Sequence, residues 1–575
     1  MIRRKQRREA NAKRFRFRSV VVNGFFIAIS VVLVGRAAHL QVLQQDFLQD
    51  EARKRHVREV TLSAHRGPIV DRNGEPMAVS TPVDSVWANP RLLGPAIDDV
   101  PALSRMIDVD GDQLLRRISR SADREFVYLR RHLPPARAAN VMALDLPGVA
   151  LQREYRRFYP AGEVVGHVLG FTNIDDQGQE GLEYAFDHWL AGQPGSKRVI
   201  KDEKGRVIED VDSVRQARHG NSLVTSLDLR LQYLAYRELM RAIAEHDAES
   251  GSVVVLDIDT GEVLAMVNQP GYNPNDRSQF NASRYRNRAV TDILEPGSSI
   301  KPLIVAAALA SNRFDAASVV DTAPGWIQVG PKKIEDKRNH GRLTLTEVIA
   351  RSSNVGITKL AMQLEAEQLF GTLVGFGLGA LTGSDFPGES SGLLSHYTHW
   401  RAISQATLAY GYGVSVTPLQ LARAYAAIGG GGVLRPVTLV RQNAPVDGVQ
   451  ILEPEDAAAI LSMMEQVVAP GGTGTKAAVP GYRIAGKTGT AWKFSAGGYS
   501  QNKYISIFAG VAPASAPELA VVVIVDEPSR DDYYGGDVAA PVFARIVAES
   551  LRLLAVTPDD LGDDATGYLV QADAR

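Results

Sequence analysis

The sequence predicts an α+β domain built on an antiparallel sheet with neighbouring first and last strands, covered by helices and carried behind one membrane-spanning helix and a separate amino-terminal module. Three observations predict it. A hairpin pattern covers residues 252–258 and 262–267, joined by Asp259-Thr260-Gly261; a second β-rich pair covers 505–512 and 519–525, with a candidate strand at 486–492 just before it. Helical stretches lie between them, notably 302–311, 357–364 and 419–428, and a single long apolar run stands near the start of the chain.

The amino-terminal end carries the first signal. Residues 1–18 hold nine Lys or Arg against Glu9, so the overall charge of −1 hides a basic head on a body of 55 basic and 64 acidic residues. Positive charge confined to one tail is a topology signal and not a nucleic-acid surface. Residues 20–35 are uncharged and mostly apolar, and 37–42 continue the run past Arg36, whose stem can snorkel to an interface. About 20 such residues cross a bilayer of ~30 Å hydrocarbon. The expected layout is a cytoplasmic basic tail at 1–18 and an anchor at 19–42, with the rest sent across the membrane. A cleaved signal peptide with Gly35-Arg36-Ala37 as its site is the competing reading. At 575 residues and 45% hydrophobic composition, the chain exceeds one ordinary core. With no cysteine, disulfides and thiol catalysis are excluded, and a metal would have only His and carboxylate ligands.

After the anchor, residues 43–65 are charged and helix-compatible and read as a stalk. Arg66-Gly67-Pro68-Ile69-Val70-Asp71-Arg72-Asn73-Gly74 then suggests a hairpin turning at Asn73-Gly74, since both positions tolerate positive φ. Residues 80–225 mix Pro, Gly and short periodic stretches, including Gly178-Gln179-Glu180-Gly181-Leu182-Glu183, with no catalytic arrangement. A non-catalytic module at 43–225 and a second domain at 226–556 follow, the latter opening with helical spacing at 229–246. The tail, 557–575, is acidic and reads as flexible.

Chemistry concentrates in Glu295-Pro296-Gly297-Ser298-Ser299-Ile300-Lys301-Pro302. Proline is tolerated only in a helix's first turn, so a helix begins close to Ser298. One turn along, the Lys301 amine falls beside the Ser298 hydroxyl. A serine needs such a base to act as a nucleophile, and the lysine must be neutral to serve. The pattern S-x-x-K is weak alone: Ser500-Gln501-Asn502-Lys503 also matches, without a helix, and an ordinary N-cap serine is the bland reading of Ser298. Two further elements change the odds. Ser352-Ser353-Asn354 follows a helix opened by a capping box, Thr344 with Glu347, and can present a hydroxyl and an amide to a cleft. Lys487-Thr488-Gly489-Thr490 lies on a candidate strand whose alternation turns Thr488 and Thr490 to one face and Lys487 and Gly489 to the other, Gly489 leaving room for a substrate backbone.

The ordered set S-x-x-K, S-x-N, K-T-G resembles the active site of penicillin-binding proteins and serine β-lactamases. Residues 286–292, 410–418 and 526–541 are similar to the division-specific class B branch, the penicillin-binding protein 3 (FtsI) type, and the 66–74 and 178–183 stretches resemble that family's pedestal module, so the likeness runs from the anchor onward. Ser299 departs from the threonine expected there, and the basic tail is longer than expected. The resemblance implies a five-stranded sheet and an elongated pedestal of dimerisation type. It implies a peptidoglycan D,D-transpeptidase acting on D-Ala-D-Ala stem peptides of nascent glycan strands at the division septum. Ser298 would be the nucleophile, Lys301 its base, Ser352 a proton relay, Asn354 a substrate clamp, and Lys487 the charge that keeps Lys301 neutral. Thr488 and Thr490 would bind the terminal carboxylate, Gly489 lying between them, and the N–H groups of Ser298 and Thr490 would form the oxyanion hole. Implied partners are β-lactams, a membrane-embedded glycan polymerase (FtsW type) and other division proteins; no cofactor, metal or nucleic acid is expected.

Rival readings share these residues. Gly481-Tyr482-Arg483-Ile484-Ala485-Gly486-Lys487-Thr488 satisfies the phosphate-loop pattern, which demands a helix directly after Lys-Thr. A β-lactamase or β-lactam sensor would use the same acylation machinery, although no E-x-x-L-N deacylation stretch occurs. A catalytically silent scaffold would not need the intact set. His65 and His167 lie nearest family-like motifs, without ligand spacing, and are expected to be structural.

Overall fold

The computed structural model describes residues 2–45, 57–201, 207–276, 278, 281–495, 498–530 and 532–561. These fall into two compact units: one comprises 1–64, 82–154 and 193–218, the other 65–81, 155–192 and 219–575.

In the first unit the amino-terminal helix runs unbroken over Ile2–Ala38, so the basic tail continues the anchor's helix. The stretch Phe15–Val42 is long and apolar enough to cross a membrane. The helical stalk expected after it is overturned at Val57–Leu62, which is a strand paired antiparallel with Gly195–Lys201, itself paired with Val207–Arg215. Charge alone does not select a helix, and a partner strand decides the matter for a segment that alternates. Residues 46–56 of that stretch lie outside the described residues. A further core of Val86, Leu93, Leu103, Ile107, Leu114 and Leu129 closes under the helices Val100–Ile107 and Gly111–Arg120.

The second unit holds the antiparallel sheet: β1 (Ser250–Asp257), β2 (Val263–Gln269), β3 (Ala485–Ser495), β4 (Gly498–Ala512) and β5 (Leu519–Asp526) in the order β2-β1-β5-β4-β3. The first and last strands pair antiparallel, with Val254 opposite Val522. Their valine runs are buried on both faces because helices cover both. Val253, Val255, Val521 and Val523 pack against α1 (Leu229–His246) and α7 (Gly535–Leu553), through Leu231, Leu239, Val542 and Phe543. Val254, Leu256 and Val522 face the other layer, where Leu303, Ile304, Leu421, Tyr425 and Ile460 belong to α2 (Lys301–Leu309), α5 (Pro418–Gly429) and α6 (Pro454–Val468). Between α2 and α5 stand the short helices α3 (Leu345–Ala350) and α4 (Asn354–Ala361).

The expected two-residue hairpin at Asn73-Gly74 is a longer connection. Asp71 N–H donates to Glu75 O at 2.9 Å, and only Gly74 takes a positive φ, +91°. Asp71 Oδ1 accepts from both Asn73 N and Glu75 N at 2.8 Å, a side-chain turn that replaces the tighter backbone one. Nearby, Glu183 is wholly buried between Arg66 and Arg157, with both N···O distances 2.6 Å, and Arg66 also reaches Asp187. Residues 557–561 are not loose as expected, since Asp559 accepts from Arg483 N at 2.7 Å and Ser515 Oγ at 2.6 Å. The rest of the acidic tail, from 562, lies outside the described residues.

Candidate active site

Ser298 sits in a single 3₁₀ turn, Gly297–Ile300, and α2 proper begins at Lys301 with Pro302 in its first turn. The helix therefore starts three residues later than the motif suggests. Glycine is required at the entry: Gly297 has φ +52°. The turn is clasped by backbone on two sides. A Cβ on Gly489 would lie 2.8 Å from Pro296 O, and one on Gly411 would lie 2.1 Å from Gly297 O. Gly489 thus admits the serine-bearing turn to the edge strand β3, and the space expected for a substrate backbone is taken by Pro296 O.

Lys301 is wholly buried. Its Nζ donates to Ser352 O at 2.7 Å, Asn354 Oδ1 at 2.8 Å and Ser352 Oγ at 3.2 Å. The Lys301 amine, expected beside the Ser298 hydroxyl, makes no hydrogen bond to it among the described residues, and its contacts go to the S-x-N turn instead. Ser298 instead lines a cavity of about 560 Å³ together with Ser352, Asn354, Thr488 and Thr490. Burial, first, and the Lys487 ammonium, second, push the Lys301 amine well below the usual lysine range, with Asp336 opposing. Lys487, also fully buried, is itself pushed down to about 7 by burial. Near neutrality it is therefore only partly charged, and desolvation outranks it as the lever on Lys301.

The S-x-N turn follows α3, whose capping box from Thr344 to Glu347 forms as expected. Ser352 is held at φ +57°, a strained conformation for a serine that aims its hydroxyl and carbonyl at Lys301. The sequence reading missed what holds this turn. Asp336 accepts from Asn354 N at 2.6 Å and Val355 N at 3.1 Å through Oδ1, and from Ser353 Oγ at 2.5 Å through Oδ2, so it caps α4 from a loop 17 residues before Ser353. No local pattern announces a cap donated across that separation.

On β3, Thr488 and Thr490 face the cavity as alternation predicts. Thr488 Oγ1 lies 3.0 Å from Thr473 Oγ1, and Thr490 Oγ1 accepts from Gly535 N at 3.0 Å. Lys487 Nζ donates to Thr488 O at 3.2 Å. Thr490 O lies 3.2 Å from where a Cβ on Gly297 would stand. A strand residue's N–H and C=O point to the same side, so the Thr490 N–H faces the Ser298 turn as well.

The competing motifs separate here. Lys487-Thr488 lies inside β3, with no helix after it, so no phosphate loop forms. Ser500 and Lys503 lie on β4, where residues three apart point to opposite faces. His167 Nε2 meets Arg284 O at 2.7 Å, and burial holds the ring down to about 4; His65 stacks on His219 with ring centroids 3.9 Å apart. A carboxylate trio, Glu249, Asp526 and Glu527, is bridged by Lys493 at 2.6 to 3.6 Å, and Glu527 also meets Lys503.

Two family models match the chain: the penicillin binding protein transpeptidase domain over residues 251–548 and the penicillin-binding protein dimerisation domain over 61–225. The chain is 44% identical over 562 residues to the peptidoglycan D,D-transpeptidase FtsI of Escherichia coli (strain K12), covering 97% of this chain and 95% of that one. The chain belongs to the FtsI-type penicillin-binding transpeptidases. This transpeptidase is also 40% identical to the probable peptidoglycan D,D-transpeptidase PbpC of Pseudomonas aeruginosa, covering 96% of this chain and 98% of that one. Among solved structures, the transpeptidase domain of Burkholderia pseudomallei penicillin-binding protein 3 matches 58% of this chain and 97% of its own, at 42% identity and TM-score 0.54. A peptidoglycan synthetase from Bifidobacterium adolescentis shares the fold over 88% of this chain and 98% of its own, at 24% identity and TM-score 0.70.

Proposed function

We propose that this transpeptidase takes an acyl group from a D-Ala-D-Ala stem peptide onto Ser298 and passes it to an amine of a neighbouring strand, cross-linking septal peptidoglycan, and that β-lactams trap the same serine. The observation that carries the reading is the single cavity shared by Ser298, Ser352, Asn354, Thr488 and Thr490 above a fully buried Lys301.

The roles follow from the chemistry. Lys301, held neutral by burial, takes the Ser298 proton as Oγ attacks the penultimate D-alanine carbonyl. The developing oxyanion is received by the N–H groups of Ser298 and Thr490, each contributing about 3 to 4 kcal/mol to the barrier. Ser352, already a hydrogen-bond partner of Lys301, returns the proton to the departing D-alanine amine, while Asn354 orients the substrate amide. Thr488 and Thr490 hold the terminal carboxylate, with Lys487 behind them and Gly489 giving the strand its close approach. Residues 19–42 anchor the chain in the inner membrane with 1–18 cytoplasmic and the catalytic domain periplasmic, supported by the nine basic residues ahead of the apolar run. Residues 43–225 act as pedestal and 226–556 as catalytic domain, and a membrane-embedded glycan polymerase of FtsW type and other division proteins are the partners.

Labelling with a fluorescent penicillin followed by peptide mapping tests this. One label is expected, on the peptide containing Ser298, lost in Ser298→Ala and kept in Ser500→Ala. A label elsewhere would overturn the assignment, and rapid multi-turnover hydrolysis of a chromogenic cephalosporin would favour a β-lactamase.

A further inference from the structure

The two N–H groups that receive the oxyanion belong to different parts of the chain: Ser298 lies on the 3₁₀ turn and Thr490 on the edge strand β3. The gap between turn and strand decides how well they act together, since each donor must stand about 2.7 to 3.1 Å from the developing oxyanion. On one side Gly489 packs against Pro296 O. On the other stands Glu295, three residues before the serine, which takes no part in the proton transfers.

One carboxylate oxygen of Glu295 gathers the segments around the turn. Its Oε1 accepts from Gly413 N at 2.7 Å and from the Tyr499 hydroxyl at 2.9 Å. Gly413 belongs to the loop that clasps the turn: Leu294 and Val416 exchange backbone hydrogen bonds at 2.9 and 3.0 Å, and Gly297 N donates to Gly411 O at 3.3 Å. Tyr499 stands on β4 opposite Phe494 of β3, so its hydroxyl ties the outer end of the β3–β4 pair to the turn. A longer strap runs beside it, from Trp492 N to the Tyr412 hydroxyl at 3.3 Å.

The carboxylate is costly where it stands. Its Oε2 is buried with no hydrogen-bond partner among the described residues, and burial raises its pKa against the two hydrogen bonds and the charge of Lys332. A group kept for stability alone would satisfy both oxygens; a half-satisfied one beside the nucleophile is explained by the geometry it imposes. We infer that Glu295 is a positioning residue for acylation: through Tyr499 and Gly413 it fixes the β3–β4 pair against the serine turn and sets the spacing of the Ser298 and Thr490 N–H groups. The inference rests on those two groups as the oxyanion hole.

The test uses the full chain, penicillin G and a boronic acid, whose tetrahedral adduct on a serine places an oxygen where the oxyanion forms. Glu295→Ala should lower the acylation rate constant at saturating penicillin by about tenfold or more, the effect of one charge-assisted hydrogen bond, with the half-saturating concentration little changed. Affinity for the boronic acid should fall with the rate, because both report binding of the tetrahedral state. Tyr499→Phe, which takes one hydroxyl from an exposed ring, should lower both by about fivefold. Glu295→Gln keeps an acceptor oxygen for both donors and should bring the rate back to within about twofold of the unaltered protein. Rates unchanged in Glu295→Ala and Tyr499→Phe, a loss confined to the half-saturating concentration, boronic acid affinity that stays constant, or a glutamine no better than alanine would overturn the positioning role. Absence of any acyl-enzyme at Ser298 in the unaltered protein would overturn the catalytic reading with it.

Discussion

Lys301 is surrounded by acceptors and shut away from water, and both its chemistry and its pH response follow from its neighbours. In the proposed role of base it works only when neutral, so penicillin acylation should fall as pH drops through its depressed pKa, far below the range of an ordinary lysine. Two substitutions should move that acid limb in opposite directions. Lys487→Met removes a positive charge that disfavours protonation, so the limb should shift to higher pH. Asp336→Asn removes a negative charge that favours it, so the limb should shift to lower pH; rates of acylation against pH decide both. His167 offers a stability counterpart. Its folded pKa of about 4 lies below the unfolded value near 6.5, so its stabilisation is present above about 6.5 and is lost as pH falls towards 4, roughly 3 kcal/mol in all. His167→Asn should flatten the melting temperature across that window.

The elements that deliver Ser298 are held by contacts that admit no side chain. Gly489→Ala would set a Cβ 2.8 Å from Pro296 O, forcing β3 and the Ser298 turn apart. Penicillin acylation should fall by at least about tenfold, or ~1.4 kcal/mol in the barrier, with circular dichroism unchanged. An unaltered rate would mean that the turn relaxes freely. Asp336→Ala removes the acceptor for the first two N–H groups of α4, leaving the Ser353 cap on Gly356 N, and should lower stability by about 1 to 2 kcal/mol, read from denaturant unfolding. These contacts explain which part of the site was legible. Ser298, Lys301, Ser352, Asn354, Lys487, Thr488 and Thr490 announce themselves by spacing, because a hydroxyl, a base and a clamp must recur at helical or strand intervals. Asp336 and the packing of Gly489 do not, since each acts on a segment distant in sequence.

At the scale of the molecule, segments from inside the amino-terminal half contribute to the larger unit, and Arg66 and Arg157 close on Glu183 within it. Arg66→Met would leave buried Glu183 with one of its two guanidinium partners and should destabilise that unit by about 3 kcal/mol or more, measured by chemical denaturation. Removing residues 1–42 should move the chain from the membrane fraction to the soluble one while penicillin labelling of Ser298 persists; loss of labelling would tie the anchor to catalysis.

By itself the sequence determined the local periodicities: the apolar run, the helix at 229–246, the valine strands and the three motifs, because each depends on residues a few positions apart. Tertiary structure decided the rest. It made a strand of 57–62, lengthened the Asp71–Glu75 turn, docked 557–561, directed the Lys301 amine to Ser352 and Asn354 and gave Gly489 to Pro296. Each of these depends on burial or on a partner far along the chain, and pairing energy between distant segments leaves no mark on either segment alone.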